Sequence, residues 1–263
     1  MIRKITIANQ KGGVGKTALS ANLAYFIAEN HNYKDQKILF IDIDVQGNAT
    51  STLRNFNSGI TSYQILSSEL SAEQIKTLAE HQKEHQITVL SASKELANSE
   101  TFNLNDCVNF LNNNLAKLEE YFDLVIFDTP PTLGNALVII LCCSESLIIP
   151  IELDTFSLAG LNGLTTTVSK LKKINKNLKI AGLVVNKYFE NRKRQEELLN
   201  SLNQTSFKDL IFETKIHYTD LIPDSLSLNQ SLRKTAKDRQ YHGHRAIREF
   251  KSLTLEVLNK VYG

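Results

Sequence analysis

Gln10-Lys11-Gly12-Gly13-Val14-Gly15-Lys16-Thr17 stands between an apolar run, residues 2–8, and a segment of helical period, residues 16–29. A glycine-rich bend between strand and helix lets backbone N–H groups wrap round an anion, while the positive end of the helix points at it. Lys16 is then placed to reach the outer phosphates of a nucleoside triphosphate and Thr17 to offer its hydroxyl to Mg2+, with Val14 and Ala18 completing the cradle. The plain G-x-x-x-x-G-K-[ST] form is not met. Gln10 occupies its first glycine position, and a second lysine, Lys11, lies inside the loop.

Working outward, further apolar runs of strand length fall at residues 38–43, 87–90, 124–127, 146–149 and 180–185, with a weaker one at 215–218. Helical periods lie between and after them, at 71–82, 104–120, 134–143, 157–173, 192–203 and 242–261. Such alternation predicts an α/β P-loop NTPase: a mainly parallel twisted sheet of about seven or eight strands with helices on both faces, forming one domain over residues 1–263. Ser71-Ala72-Glu73-Gln74 has the form of a capping box, and Asn103 is placed to cap the helix that follows it. No internal repeat or flexible linker interrupts the pattern.

Composition narrows the function classes. Apolar residues make up 42% and charged residues 22%, and the formal net charge of +2 demands no acidic partner by itself. The three cysteines, Cys107, Cys142 and Cys143, have neither disulfide-framework nor CxxC spacing, which suits a reducing cytoplasm. No secretion signal and no apolar stretch of membrane-spanning length is expected. Two strand ends carry acids: Asp42 and Asp44 in Asp42-Ile43-Asp44-Val45-Gln46-Gly47-Asn48-Ala49-Thr50, and Asp128 in Leu124-Val125-Ile126-Phe127-Asp128-Thr129-Pro130-Pro131. Alternation with apolar residues would point Asp42 and Asp44 the same way. An apolar run closed by an acid has the physical form of a Walker B segment.

The stretch Lys11 to Thr17 resembles the deviant Walker A loop of the ParA/MinD family of positioning ATPases, and Ala8-Asn9-Gln10 resembles its ParA (Soj) branch. Residues 42–50 are similar to that family's D-x-D-P-Q-[GA]-N, with Val45 in place of proline. Residues 128–134 are similar to D-[TCS]-P-P-[SA]-L-G, with Thr132 at the variable position. The resemblance implies ATP and Mg2+ as cofactors and a weak ATPase with Lys11, Lys16 and Asp44 as catalytic residues. Lys11 would reach the partner's ATP across a homodimer, and Asp44 would orient the attacking water. Thr17, Asp42 and Asp128 would hold Mg2+, the two acids through water. Asn186, Pro223 and Asp224 match places where relatives hold adenine, and residues 152–160 match an interface segment.

The resemblance further implies non-specific DNA binding in the ATP state, nucleoid association and a ParB-like or other stimulating partner, with no membrane. Local charge agrees in part, because residues 170–194 hold Lys170, Lys172, Lys173, Lys176, Lys179, Lys187, Arg192, Lys193 and Arg194 against Glu190 alone. A second basic group lies at 233–251. The DNA candidates are Lys187, Arg192, Arg194, Arg233, Lys234, Lys237 and Arg245, although the basic residues that relatives place after Ile-Pro are replaced here by Asp224-Ser225-Leu226-Ser227. Two alternatives stay open: MinD-like membrane association through a closing amphipathic helix, and a related metabolic enzyme, including one with an iron–sulfur cluster on Cys142 and Cys143.

Overall fold

The computed structural model describes residues 2–30, 33, 35–241 and 244–263, with the helix but not the side chains for 155–160. Among these residues seven strands form one sheet: β1 (Arg3–Ile7), β2 (Ile38–Asp42), β3 (Asn57–Thr61), β4 (Ile87–Ser91), β5 (Leu124–Asp128), β6 (Ser146–Ile151) and β7 (Lys179–Val185). Their order is β3-β4-β2-β5-β1-β6-β7, and each neighbouring pair is parallel. The helices are α1 (Lys16–Ala28), α2 (Asn48–Thr52), α3 (Ser62–Ser67), α4 (Ala72–Glu84), α5 (Leu104–Leu118), α6 (Asn135–Cys143), α7 (Thr155–Leu171), α8 (Lys193–Asn203), α9 (Leu221–Ser227), α10 (Leu232–Asp238) and α11 (Arg245–Tyr262).

Strands that read as unbroken apolar runs are those covered on both faces. In β2, Ile38 and Phe40 join the core under α1 and α11, whereas Leu39 and Ile41 join the one under α5 and α6. Helix α1 is buried nearly all round, packed on the sheet, α9 and α11, with Phe26 stacked on Phe250 at 5.7 Å between ring centroids. The expected caps form: Ser71 and Gln74 bond reciprocally, and Asn103 accepts from the N–H groups of Asn105 and Asp106.

Parallel strands bring their carboxyl ends to one edge. The phosphate-loop segment after β1, the acids ending β2 and β5, and Asn186 after β7 therefore meet there, where β1 sits between β5 and β6 and the chain leaves it towards β2.

Two readings of the sequence are corrected. The weak run at 215–218 makes only an isolated bridge, Tyr188 to His217. The seventh strand is instead β3, whose Asn57-Ser58-Gly59-Ile60-Thr61 buries only Ile60 as an apolar residue, so it left no periodic signal. Helices α2, α3, α9 and α10 are no longer than 7 residues, too short for helical periodicity to reveal. His242, where the last helix was expected to begin, lies outside the described residues. No described helix is long and apolar enough to cross a membrane.

Candidate active site

The phosphate loop bends through positive φ at Gly13 (77°) and Gly15 (90°), the second forming the N-cap of α1. A side chain at Gly15 would bring its Cβ to 2.3 Å from the Asn186 amide nitrogen. That nitrogen donates to the Val14 carbonyl at 2.8 Å, while the Lys187 ammonium donates to the Gly13 carbonyl at 2.6 Å and pairs with Glu152 at 2.8 Å. The segment after β7 thus braces the loop from behind. Asn9 secures its start, donating to Pro150 O at 2.7 Å and accepting from the Lys11 N–H at 3.0 Å.

A cleft of about 1000 Å3 opens over the loop, walled by the β2–α2 segment on one side and by Pro223, Leu226, Ser227 and Asn229 on the other. Lys16 lines it and is buried, which lowers its pKa although Asp128 and Asp44 pull the other way. Its ammonium donates to the Lys11 carbonyl at 3.3 Å. Lys11 is not among the lining residues; its own ammonium forms an ion pair with Asp154.

The acids occupy different depths. Asp128 is fully buried and accepts from Thr17 Oγ1 at 2.8 Å and Ser20 Oγ at 3.0 Å. Asp42, its register neighbour across β2 and β5, accepts from the Thr50 N–H and hydroxyl, both at 2.7 Å, and from the Asp44 N–H at 3.1 Å. Burial, reinforced by their mutual repulsion and by Asp44, pushes Asp128 up to about 8; burial above all, opposed by the Thr50 bonds, pushes Asp42 up to about 6. Asp44 lies two residues beyond the end of β2 and lines the cleft, whereas Asp42, at the end of β2, is fully buried.

This donor set fits Mg2+ held partly through water. It is all oxygen, it centres on a hydroxyl at the helix start, and its buried carboxyls titrate high because burial disfavours their charge, which a bound dication would offset. Among the described residues no three His, Cys, Asp or Glu side chains converge as a direct ligand set.

Other expectations fare unevenly. Asp224 pairs with Arg239 and does not line the cleft, nor does Asn186, whose amide nitrogen is already engaged. The basic run at 170–194 is divided by β7: Lys170, Lys172, Lys173, Lys176 and Lys179 lie at or before its start, Lys187 and Arg192 to Arg194 beyond its end. Seven strand residues separate the groups by roughly 23 Å. Arg192 lies 3.6 Å over the Phe189 ring, Arg233 pairs with Glu29, and Arg245 pairs with Glu190 and Glu249. Lys234 and Lys237 are exposed on α10. The side chains of 155–160, in the expected interface segment, lie outside the described residues. Cys143 is buried, which pushes its thiol up to about 12, an unsuitable state for a cluster ligand.

Ser20, Thr50 and Arg54 were not foreseen at the site. Ser20 follows Thr17 by three residues on one helix, a spacing that places both hydroxyls on one face. Thr50 ends the acidic segment, but only the fold folds it back onto Asp42.

Loop, buried cation, hydroxyl and recessed acids on a parallel sheet define a P-loop nucleotide-binding protein. A family model described as an AAA domain matches residues 2–180. The chromosome partitioning protein ParA of Myxococcus xanthus is 30% identical over 231 residues, covering 87% of this chain and 77% of that protein. Protein IncC of Escherichia coli is 27% identical over 260 residues, 98% of this chain and 71% of its own length. A putative plasmid partition protein from Borrelia burgdorferi, solved bound to AMPPNP, superposes with a TM-score of 0.74 at 22% identity, over 99% of each chain. The chain belongs to the AAA domain family and, within it, to the ParA/Soj-type positioning ATPases.

Proposed function

We propose that the protein is an ATP-switched homodimer that binds DNA non-specifically while it carries ATP and hydrolyses that ATP slowly, a stimulating partner protein setting the rate. The observation that carries this reading is the division of labour between two loop lysines. Lys16 faces the chain's own cleft, while Lys11 is turned out of it onto Asp154. A lysine held at the rim is placed to meet a nucleotide in a second copy, where two facing triphosphates would otherwise repel.

In the cleft, Gly12, Gly13, Val14, Gly15 and Ala18 enclose the phosphates with backbone N–H groups, and Lys16 neutralises their outer oxygens. Thr17, with Asp42 and Asp128 through water, would hold Mg2+, which supplies charge neutralisation to the phosphates. Asp44 accepts a hydrogen bond from the attacking water and aligns it with the terminal phosphorus; the products are ADP and phosphate. Pro223 and Leu226 wall the base, and Asn186, behind the loop and outside the cleft lining, supports the site by holding the Val14 carbonyl. Asp224 has no direct part in this arrangement.

DNA contact rests on the exposed cations, of which Lys234 and Lys237 on α10 are the freest candidates, with Arg192 and Arg194 secondary. Lys187, Arg233 and Arg245 have carboxylate partners that a phosphate would have to displace. Membrane docking through the last helix is disfavoured because Phe250, Leu253, Val257, Leu258 and Val261 are buried in the core.

The test is light scattering after size exclusion with Mg2+ and a non-hydrolysable ATP analogue, beside co-sedimentation with DNA. Wild type should double in mass and bind DNA in a salt-sensitive way; Lys11→Ala should do neither while still binding nucleotide. A wild-type protein that stays monomeric at saturating analogue overturns the proposal.

A further inference from the structure

We infer that Arg54 closes the nucleoside end of the cleft, laying its guanidinium on the base opposite Pro223 and Leu226; this rests on the reading of the cleft as an ATP site. The charged residues that line the cleft are Lys16, Asp44 and Arg54. Lys16 belongs to the phosphate end. Arg54 is exposed, and among the described residues its side chain has no hydrogen bond, ion pair or ring contact.

Its backbone is firmly placed. Leu53 before it is fully buried against α1, and Phe56 after it packs edge-on to Tyr25 at 6.0 Å. The Tyr25 hydroxyl donates to the Thr52 carbonyl at 3.5 Å, two residues before Arg54. Arg54 lines the same cleft as Lys16 but comes from the chain beyond α2, the lining residue of that segment farthest along the chain from Asp44, and it is assigned to the nucleoside rather than to the phosphates that Lys16 holds.

Helices α2 and α9 both pack on α1, and Arg54, in the turn just after α2, and Leu226 of α9 both line the cleft, so the two residues come from different walls. A planar guanidinium on one wall and aliphatic groups on the other form a slot for a flat aromatic ring. Arginine suits it better than lysine, because the guanidinium stacks face to face and is weakly hydrated. A base held this way fixes the ribose and hence the line of the triphosphate over Lys16.

The experiment measures binding of Mg2+-ATP and of inorganic tripolyphosphate by calorimetry. Arg54→Ala should weaken ATP about 3- to 20-fold, the range of a partly desolvated cation–ring contact, and leave tripolyphosphate unchanged. Arg54→Lys should recover little of the loss. Unchanged ATP binding in Arg54→Ala overturns the inference, as does an equal loss for both ligands or full recovery by lysine, either of which marks a charge contact to phosphate. Lys16→Ala reports on the cleft itself: it should lose both ligands, and if it kept both, the phosphate-loop reading would fail whatever Arg54→Ala does.

Discussion

Replacing Gly15 by alanine should destabilise the protein through one contact whose size can be worked out in advance. Gly15 has φ 90° and ψ 29°, a left-handed conformation that costs a β-carbon-bearing residue about 1–2 kcal/mol. The new methyl would stand 2.3 Å from the Asn186 amide nitrogen and 3.6 Å from its Cγ. Asn186 must therefore swing away and release the Val14 carbonyl, in a residue that is fully buried. An orphaned buried acceptor costs about 1–3 kcal/mol, so Gly15→Ala should lose about 2–5 kcal/mol in all. Asn186→Ala should lose the hydrogen-bond part alone. In the double variant that bond is lost once and the clash is gone, so its cost should fall short of the sum of the singles by about 1–3 kcal/mol. Urea unfolding followed by far-ultraviolet circular dichroism measures this, the chain having no tryptophan. Additive losses in the double variant would show that Asn186 does not brace the loop, and the reasoning would be refuted.

Further outcomes follow from the acids and hydroxyls. Burial raises the pKa of Asp128 to about 8 and that of Asp42 to about 6 without nucleotide; their folded values exceed the unfolded one, so the stability linked to them is complete below about pH 4 and disappears as pH rises through 8. The melting temperature of nucleotide-free protein should therefore decline between about pH 4 and 8, and Asp128→Asn should flatten that decline; a flat wild-type profile contradicts the burial argument. Mg2+-nucleotide binding at pH 7 should release protons, seen as a dependence of the calorimetric enthalpy on buffer ionisation, and no such dependence would mean that Asp128 is already ionised. Thr50→Val removes the hydroxyl bonded to Asp42 and to the Ala92 N–H, so it should cost about 1–3 kcal/mol in urea melts. Asp44→Ala should abolish hydrolysis yet retain the ATP-bound dimer, and a variant that still releases phosphate at the wild-type rate removes Asp44 from the reaction.

The parts legible in the sequence were those whose physics is local. Gly13 and Gly15 announced a backbone that only glycine adopts comfortably, and the runs ending in Asp42 and Asp128 announced strands covered on both sides. What stayed hidden was set by distant pairing. Nothing near Asn57-Ser58-Gly59-Ile60-Thr61 says strand, because β3 gains its order from β4 rather than from its own side chains. Asn186 was picked out from its position after a strand, but nothing in the sequence shows that its amide nitrogen bonds the Val14 carbonyl of the phosphate loop. The basic run at 170–194 looked like one patch only because a linear count cannot show that β7 crosses the sheet between its halves.

The ion pair between Lys11 and Asp154 bears on how such a switch can depend on the terminal phosphate. The side chains are 28% and 35% exposed, so water screens the pair, and partnerships of this kind contribute about 0–1 kcal/mol. Lys11 is thus held in place without being held tightly. A single carboxylate competes poorly with a triphosphate that keeps a net negative charge after Mg2+ binds, especially once a second subunit excludes water and lowers the local dielectric. Loss of the terminal phosphate reduces that charge and re-admits solvent, so Asp154 regains the lysine. In the proposed ATP-switched dimer, the weakness of the resting contact would make dimerisation sensitive to one phosphoryl group, and a strongly buried pair at the same place would lock the monomer.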